Sequence, residues 1–282
     1  MRVKNSFMWA TTLASLMAIA ALPARAAPAT LTMVVCSPGS PGSTDEAQPR
    51  MDAFAAALSS KAATPITVVY DPSDDGGVTR LKTAGLGLVS LPFFLQHEQA
   101  LGLHPRLQVV AKGRPALDRW SLVVAKGRVK AASDLAGFSI ATSVAFSPSF
   151  VRGPLFGGFG ALPASAKLTR STAVLSALRR AANGNPVAVV LDGAQDAQLA
   201  SLPFASKLEV IARSAPLPTA LVVTVGDRTP DAAWSKLERA LLGLSSDRAA
   251  ASVLDAIQLT GFAALDAKTV DAARKAFAEA AP

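Results

Sequence analysis

Residues 121–142, SLVVAKGRVKAASDLAGFSIAT, decide how the rest of the chain is read. Ser121-Leu122-Val123-Val124-Ala125 is a short, unbroken apolar run of the kind a strand buried on both faces requires. A polar link follows, then the turn-forming Ser133-Asp134-Leu135-Ala136-Gly137, then a second strand-like run, Ser139-Ile140-Ala141-Thr142. This stretch opens a second α/β unit in the middle of the chain.

Toward the N-terminus the same alternation appears once already. Leu107 to Ala111 and Leu86 to Val89 are apolar strands, and the helix after Ser90-Leu91-Pro92 has Gly102 placed to end it. Pro65 to Tyr70 is rich in β-branched residues. Met51, Phe54, Ala55 and Leu58 fall on one helical face, with Pro49 tolerable only near the first turn. Leu31 to Cys36 reads as a strand that stops at the Ser37–Ser43 turn cluster.

Toward the C-terminus, Ser171 to Ala182 reads as a helix closed by Arg179, Arg180 and Asn183-Gly184, where the negative end of the helix favours cations. Val187 to Leu191 is a strand stopping at Asp192-Gly193, followed by Leu208 to Ala212 and Ala220 to Val225. From Thr229 the pattern is helical to the end. Two α/β units with mostly parallel sheets, joined near Trp120 and near Pro216-Leu217-Pro218, predict two lobes with a cleft between them.

Composition narrows the function classes. With 282 residues, 50% of them hydrophobic and 17% charged, the chain can build a large core and is not disordered. A single cysteine excludes an internal disulfide framework and a cysteine zinc site, and two histidines leave little imidazole chemistry. Arg2 and Lys4, the apolar Phe7–Leu22 run and Ala24-Arg25-Ala26 predict a signal peptide over residues 1–26, cleaved before Ala27 on export. Losing its three basic residues brings the formal charge from +8 to about +5, scattered along the chain, so no nucleic-acid partner is expected. The dibasic pair Arg179-Arg180 is accounted for by the helix end it closes.

At this point a family resemblance enters. The Leu122–Ala125 strand, the Ser133–Gly137 turn and the Ser139–Thr142 strand resemble the second-lobe entry of type II periplasmic solute-binding proteins, whose Asp-Leu-Lys-Gly turn has Ala136 here in place of lysine. Ser147-Pro148-Ser149, the return through Leu208–Ala212 to Ser214-Ala215-Pro216 and the helical tail are most similar to the phosphonate-binding branch, over roughly residues 30 to 270. The resemblance implies a bilobal type II α/β fold, two lobes joined by crossing hinge strands, with lobe 1 formed by residues 27–120 and 218–282 and lobe 2 by 121–217. It implies a receptor without cofactor or metal, monomeric, that closes on a small-molecule ligand and delivers it to the membrane permease of an ABC transporter. A phosphate- or phosphonate-like oxyanion is the implied ligand.

In such lobes the ligand sits beyond the carboxyl ends of the strands. That rule selects Ser37, Ser40, Tyr70, Ser90, Phe93, Thr142, Ser143, Phe146, Ser147, Ser149, Phe150 and Asp192. Ser147 and Ser149 match the family's anion-holding helix start, and they equally suit an ordinary helix cap. Phe150 stands where the family has glycine, and the aspartates that usually begin the cleft-lining strands are replaced by Gly85-Leu86-Gly87-Leu88 and Gly184-Asn185-Pro186-Val187. With Phe93, Phe146 and Phe150 at the expected rim, a hydrophobic or lipid-like ligand is the competing expectation, and an exported hydrolase a third. Asp71-Pro72-Ser73-Asp74-Asp75-Gly76 starts like a calcium loop, but Lys82 occupies the position of its bidentate acid, so a polar turn is expected. His97 and His104 read as surface residues.

Overall fold

The computed structural model describes residues 30–40 and 42–280; the expected leader and its cleavage point lie outside the described residues. The chain starts with β1 (Leu31–Cys36), α1 (Thr44–Ala62), β2 (Ile66–Asp71), α2 (Asp74–Leu81), β3 (Leu86–Ser90), α3 (Leu91–Leu101) and β4 (Leu103–Ala111). Helix α1 begins earlier than Pro49 suggested, because Ser43 and Glu46 form a reciprocal capping box: Ser43 Oγ accepts the Glu46 N–H at 3.3 Å and Glu46 Oε2 accepts the Ser43 N–H at 3.0 Å. Pro49 therefore lies inside the helix, at the cost of one backbone donor. Gly102 ends α3 at φ 61°, as its position predicts.

The chain then crosses and builds β5 (Ser121–Ala125), β6 (Ser139–Thr142), the single turn α4 (Pro148–Phe150), β7 (Lys167–Arg170), α5 (Val174–Ala182), β8 (Val187–Leu191), α6 (Gly193–Leu199) and β9 (Leu208–Arg213). It returns with β10 (Ala220–Val225), α7 (Asp231–Gly243), α8 (Arg248–Ala256), β11 (Leu259–Ala264) and α9 (Ala267–Glu279).

Two sheets result, a six-stranded one in the order β11-β4-β10-β3-β1-β2 and a five-stranded one in the order β7-β6-β8-β5-β9. Each begins with three parallel strands, and the next strand, β10 or β5, is the one that has just crossed over from the other sheet and runs antiparallel. The sheets are therefore mixed rather than mostly parallel, and the architecture is the type II two-sheet α/β fold. Two strands escape the sequence pattern. Strand β7 is polar and mostly exposed at a sheet edge, and β11 carries Gly261 and breaks the helical tail at the opposite edge of the first sheet. Neither shows the apolar run by which a buried strand is recognised.

Between the sheets the chain passes twice, and the two passages bind each other. Asp118 and Leu217 exchange both backbone hydrogen bonds at 2.8 Å, the Ser214 N–H donates to the Trp120 carbonyl at 2.8 Å, and the Trp120 N–H donates to Ser214 Oγ at 3.0 Å. One apolar cluster runs from Phe93, Phe94 and Leu221 beneath this crossing to Leu122, Val124 and Phe150. On the far side α9 packs against the turn at Val151–Leu155, while its Arg274 chelates Glu98 of α3 at 2.9 and 2.5 Å and lies over the Phe94 ring.

Gly193, the first residue of α6, meets the buried Asp118: its N–H donates to Asp118 Oδ2 at 3.2 Å, and a methyl group in its place would collide with that carboxylate. Gly193→Ala is expected to lower stability by about 1–3 kcal/mol, the range for forced overpacking. Urea unfolding checks this, and an unchanged midpoint would contradict the packing described.

Candidate functional site

The carboxyl ends of β1, β2 and β3 in the first sheet and of β6, β7 and β8 in the second converge on a cavity of about 710 Å³ next to the crossing segments. Of the twelve residues selected from sequence, Ser37, Ser40, Tyr70, Ser90, Ser143 and Asp192 line it. Their positions follow from the strand-end rule, because each lies at or just beyond the end of β1, β2, β3, β6 or β8.

The other six lie outside the lining. Phe93 and Phe150 are fully buried core residues; Phe150 meets Trp120 edge-on at 6.3 Å, and Trp120 is what the cavity sees. Phe146 packs against the same core. Thr142 is buried, with its hydroxyl accepting the Val144 N–H at 3.2 Å. Ser147 is 1% exposed and makes no side-chain cap bond, and Ser149 sits in the one-turn α4, which passes directly into a π turn at Val151–Leu155. The Ser147–Ser149 segment thus starts no long helix with free N–H groups aimed at the cavity. Pro154 lies inside that turn, where it removes a backbone donor.

Sequence reasoning missed eight polar lining residues, the two cations Arg50 and Arg114 together with Ser43, Ser171, Thr172, Gln195, Thr219 and Gln258. Ser171 and Thr172 follow β7, so the strand-end rule would have selected them had Lys167-Leu168-Thr169-Arg170 been recognised as a strand. They precede α5, whose first turn carries no acidic residue and no side-chain cap, leaving its positive end open. Arg50 lies on α1 one residue before the buried Met51, is exposed and forms no ion pair among the described residues. Arg114 belongs to the first crossing segment.

Polar groups around the cavity are only partly satisfied by the protein. Ser40 Oγ donates to Ser37 Oγ at 3.0 Å. Ser90 is 8% exposed, is the N-cap residue of α3 without a cap bond, and its Oγ has no partner among the described residues. Burial raises the Tyr70 phenol above its ordinary value, the neighbouring Cys36 and Asp71 add to this and Arg50 opposes it, so Tyr70 presents a neutral hydroxyl. Behind it, burial pushes the Cys36 thiol well up, with Asp71 and Asp74 adding to the effect, so it stays an inert thiol.

The expected turn after β2 is a helix cap. Ser73 caps α2, and Asp71 Oδ1 accepts from the Ser73 hydroxyl at 2.7 Å and N–H at 3.0 Å while Asp71 Oδ2 accepts from Arg80 Nε at 2.9 Å. His97, expected at the surface, is instead partly buried, 2.9 Å from Asp74 Oδ1 and packed on Phe93. No group of three or more His, Cys, Asp or Glu residues suited to a metal occurs among the described residues.

The two rims touch at Gly39. This residue, at φ 91° in the loop after β1, packs against the backbone carbonyl of Ser143 in the loop after β6, and any side chain would collide with it. Only glycine combines that left-handed conformation with so close an approach.

The sequence model of one family, described as ABC transporter, phosphonate, periplasmic substrate-binding protein, matches residues 41–270. No curated protein matches the chain. Among solved structures, XAC2383 from Xanthomonas citri bound to ATP is similar at 16% identity and a TM-score of 0.68, covering 88% of this chain and 98% of that one. A binding protein component of an ABC phosphonate transporter from Pseudomonas aeruginosa gives 15% identity, a TM-score of 0.58 and coverage of 90% and 95%. PhnD1 from Prochlorococcus marinus, in complex with methylphosphonate, gives 16% identity, a TM-score of 0.57 and coverage of 86% and 97%. At these identities the likeness is one of fold.

Two outcomes are expected from this geometry. Gly39→Ala should hold the rims apart and weaken ligand binding at least tenfold in a titration, whereas unchanged affinity would show that the Gly39–Ser143 approach plays no part in closure. Burial acts to raise the Asp71 carboxyl, but the Ser73 and Arg80 hydrogen bonds outweigh it and hold it below its usual value. Asp71 should therefore contribute stability that is complete above about pH 5 and lost as pH falls below about 4. Asp71→Asn is expected to cost about 1–3 kcal/mol at pH 7, with the gap to the parent protein closing in acid; a gap independent of pH would contradict the assignment.

Proposed function

The chain belongs to the periplasmic substrate-binding proteins of ABC phosphonate transporters, and from that membership we propose that its ligand is a phosphonate or phosphate ester gripped between hydroxyls of the two lobes. One observation carries this reading: Ser37, Ser40 and Ser90 from one sheet and Ser143, Ser171 and Thr172 from the other surround a single cavity whose one exposed, unpaired cation is Arg50, among the described residues. Neutral hydroxyls and N–H groups suit a tetrahedral oxyanion, because several short donors replace its hydration shell without a buried counter-charge. Proposed contacts from the original selection are Ser37, Ser40, Tyr70, Ser90, Ser143 and Asp192, joined by Arg50, Ser171 and Thr172.

A ligand touching both lobes can shift the hinge equilibrium, since only differential affinity for the closed form does so. Lobe 1 is assigned to residues 27–120 and 218–282 and lobe 2 to 121–217, in accord with the two sheets. The protein is assigned to the periplasm as a monomer without nucleic-acid partners, released by cleavage before Ala27, with the ABC permease as its docking partner. It is read as non-catalytic: no hydroxyl in the cavity is hydrogen-bonded to a histidine or carboxylate side chain among the described residues, so none is paired with a base. The phenylalanine-walled pocket that a lipid-like ligand would need finds no support, since Phe93, Phe146 and Phe150 lie outside the lining.

Methylphosphonate or phosphate at a hundred times its dissociation constant should add about 2.7 kcal/mol of stability, visible as a thermal shift. Arg50→Ala should reduce affinity about tenfold, or about 1.4 kcal/mol, and Ser147→Ala should leave it unchanged. Absence of any shift with phosphate and a panel of phosphonates would overturn the ligand class.

A further inference from the structure

Among the described residues Asp192 is the only acidic side chain lining the cavity, and neither of its oxygens is free. Oδ1 accepts the Gln195 N–H at 2.9 Å as the cap of α6, while Oδ2 receives Arg114 Nη2 at 3.1 Å. Arg114 is itself held a second time, Nη1 lying 3.3 Å from Oδ2 of Asp118, a carboxylate only 5% exposed. One guanidinium thus bridges the crossing segment to the second sheet across the cavity edge, clamped between two carboxylates that are themselves fixed by backbone N–H groups.

Resting on the oxyanion reading above, we infer that Arg114 determines specificity: by occupying Asp192 it restricts the cavity to phosphonates or phosphate esters whose organic substituent carries no ammonium group. An ammonium needs an acceptor of opposite charge when it leaves water. The one available here is already engaged by a guanidinium that it shares with buried Asp118, and that guanidinium cannot be expelled without taking an ion-pair partner from Asp118. On the side of β4 and the start of β11 the lining is uncharged, with Val109, Ala111, Ile257 and Leu259 beside the neutral amide of Gln258, which suits an uncharged substituent. Arg50 adds a positive charge to the lining, so a ligand bringing its own cation meets repulsion there while the acid it would need is held by Arg114.

The test is calorimetric titration of the full chain with n-propylphosphonate and 2-aminoethylphosphonate, which differ by a methyl group in place of the ammonium. The parent protein should bind the propyl compound at least tenfold more tightly. Arg114→Ala, which uncovers Asp192, should shrink that ratio or invert it, while Asp192→Asn, which keeps a capping side chain on α6, should preserve the rejection of the amine. Equal binding of the two ligands by the parent protein would overturn the inference and leave the oxyanion reading standing. Binding of neither, nor of phosphate, would instead remove the reading on which it rests. An unchanged ratio in a folded Arg114→Ala protein would overturn the role of Arg114, and if that variant does not fold, the parent comparison decides alone.

Discussion

Asp118 carries the constraint on which the rest of the structure depends. It lies in the passage from the first sheet to the second, almost completely buried, and accepts hydrogen bonds from the Arg119 and Gly193 N–H groups and from Arg114. Its backbone exchanges both hydrogen bonds with Leu217 in the returning passage. A buried carboxylate is tolerated only when so fully provided for, which means that the two passages, the start of α6 and the Arg114 guanidinium must keep their mutual positions. The cavity forms beside that knot because the carboxyl ends of six strands from the two sheets face one another there.

On the proposed oxyanion reading, this arrangement reconciles a chain with only 17% charged residues with a charged ligand. Most charges near the cavity are spent on structure: Asp71 on the start of α2 and on Arg80, Asp192 on the start of α6 and on Arg114. What lines the cavity is largely a set of hydroxyls, one of which, on Ser90, is buried without a partner among the described residues. Such a group is costly to leave unsatisfied and gains most from a ligand oxygen. Low charge density is thus compatible with oxyanion binding, and it makes the balance of the few charges present decisive.

The sequence reveals the fold wherever burial is two-sided. Leu122-Val123-Val124-Ala125, Val187 to Leu191 and Leu86 to Val89 are continuous apolar runs because both faces of those strands are covered, and all three are strands of the sheet interiors. Edge strands β7 and β11 leave most of their residues partly or fully exposed and show no such trace. Six of the selected residues line the cavity by the same logic, since a strand end is legible once its strand is. The selections that fall outside the cavity are Ser147 and Ser149, at a helix start that gives way to an irregular turn holding Pro154, three phenylalanines that the core absorbs, and Thr142, whose buried hydroxyl accepts the Val144 N–H. Arg50 and Arg114 could not be read in advance, because one is an exposed position on a helix and the other sits in a polar crossing, and only the three-dimensional meeting of distant segments places them at the cavity.

The central claim, that the two sheets are halves of a clamp closing on an oxyanion, is tested most directly by small-angle X-ray scattering of the protein with and without saturating methylphosphonate. A measurable fall in the radius of gyration on ligand addition, abolished in a variant whose rims cannot meet, is the predicted result. Tight binding with an unchanged scattering profile would contradict it, and would mean that the ligand occupies a cavity already formed rather than one that closes around it.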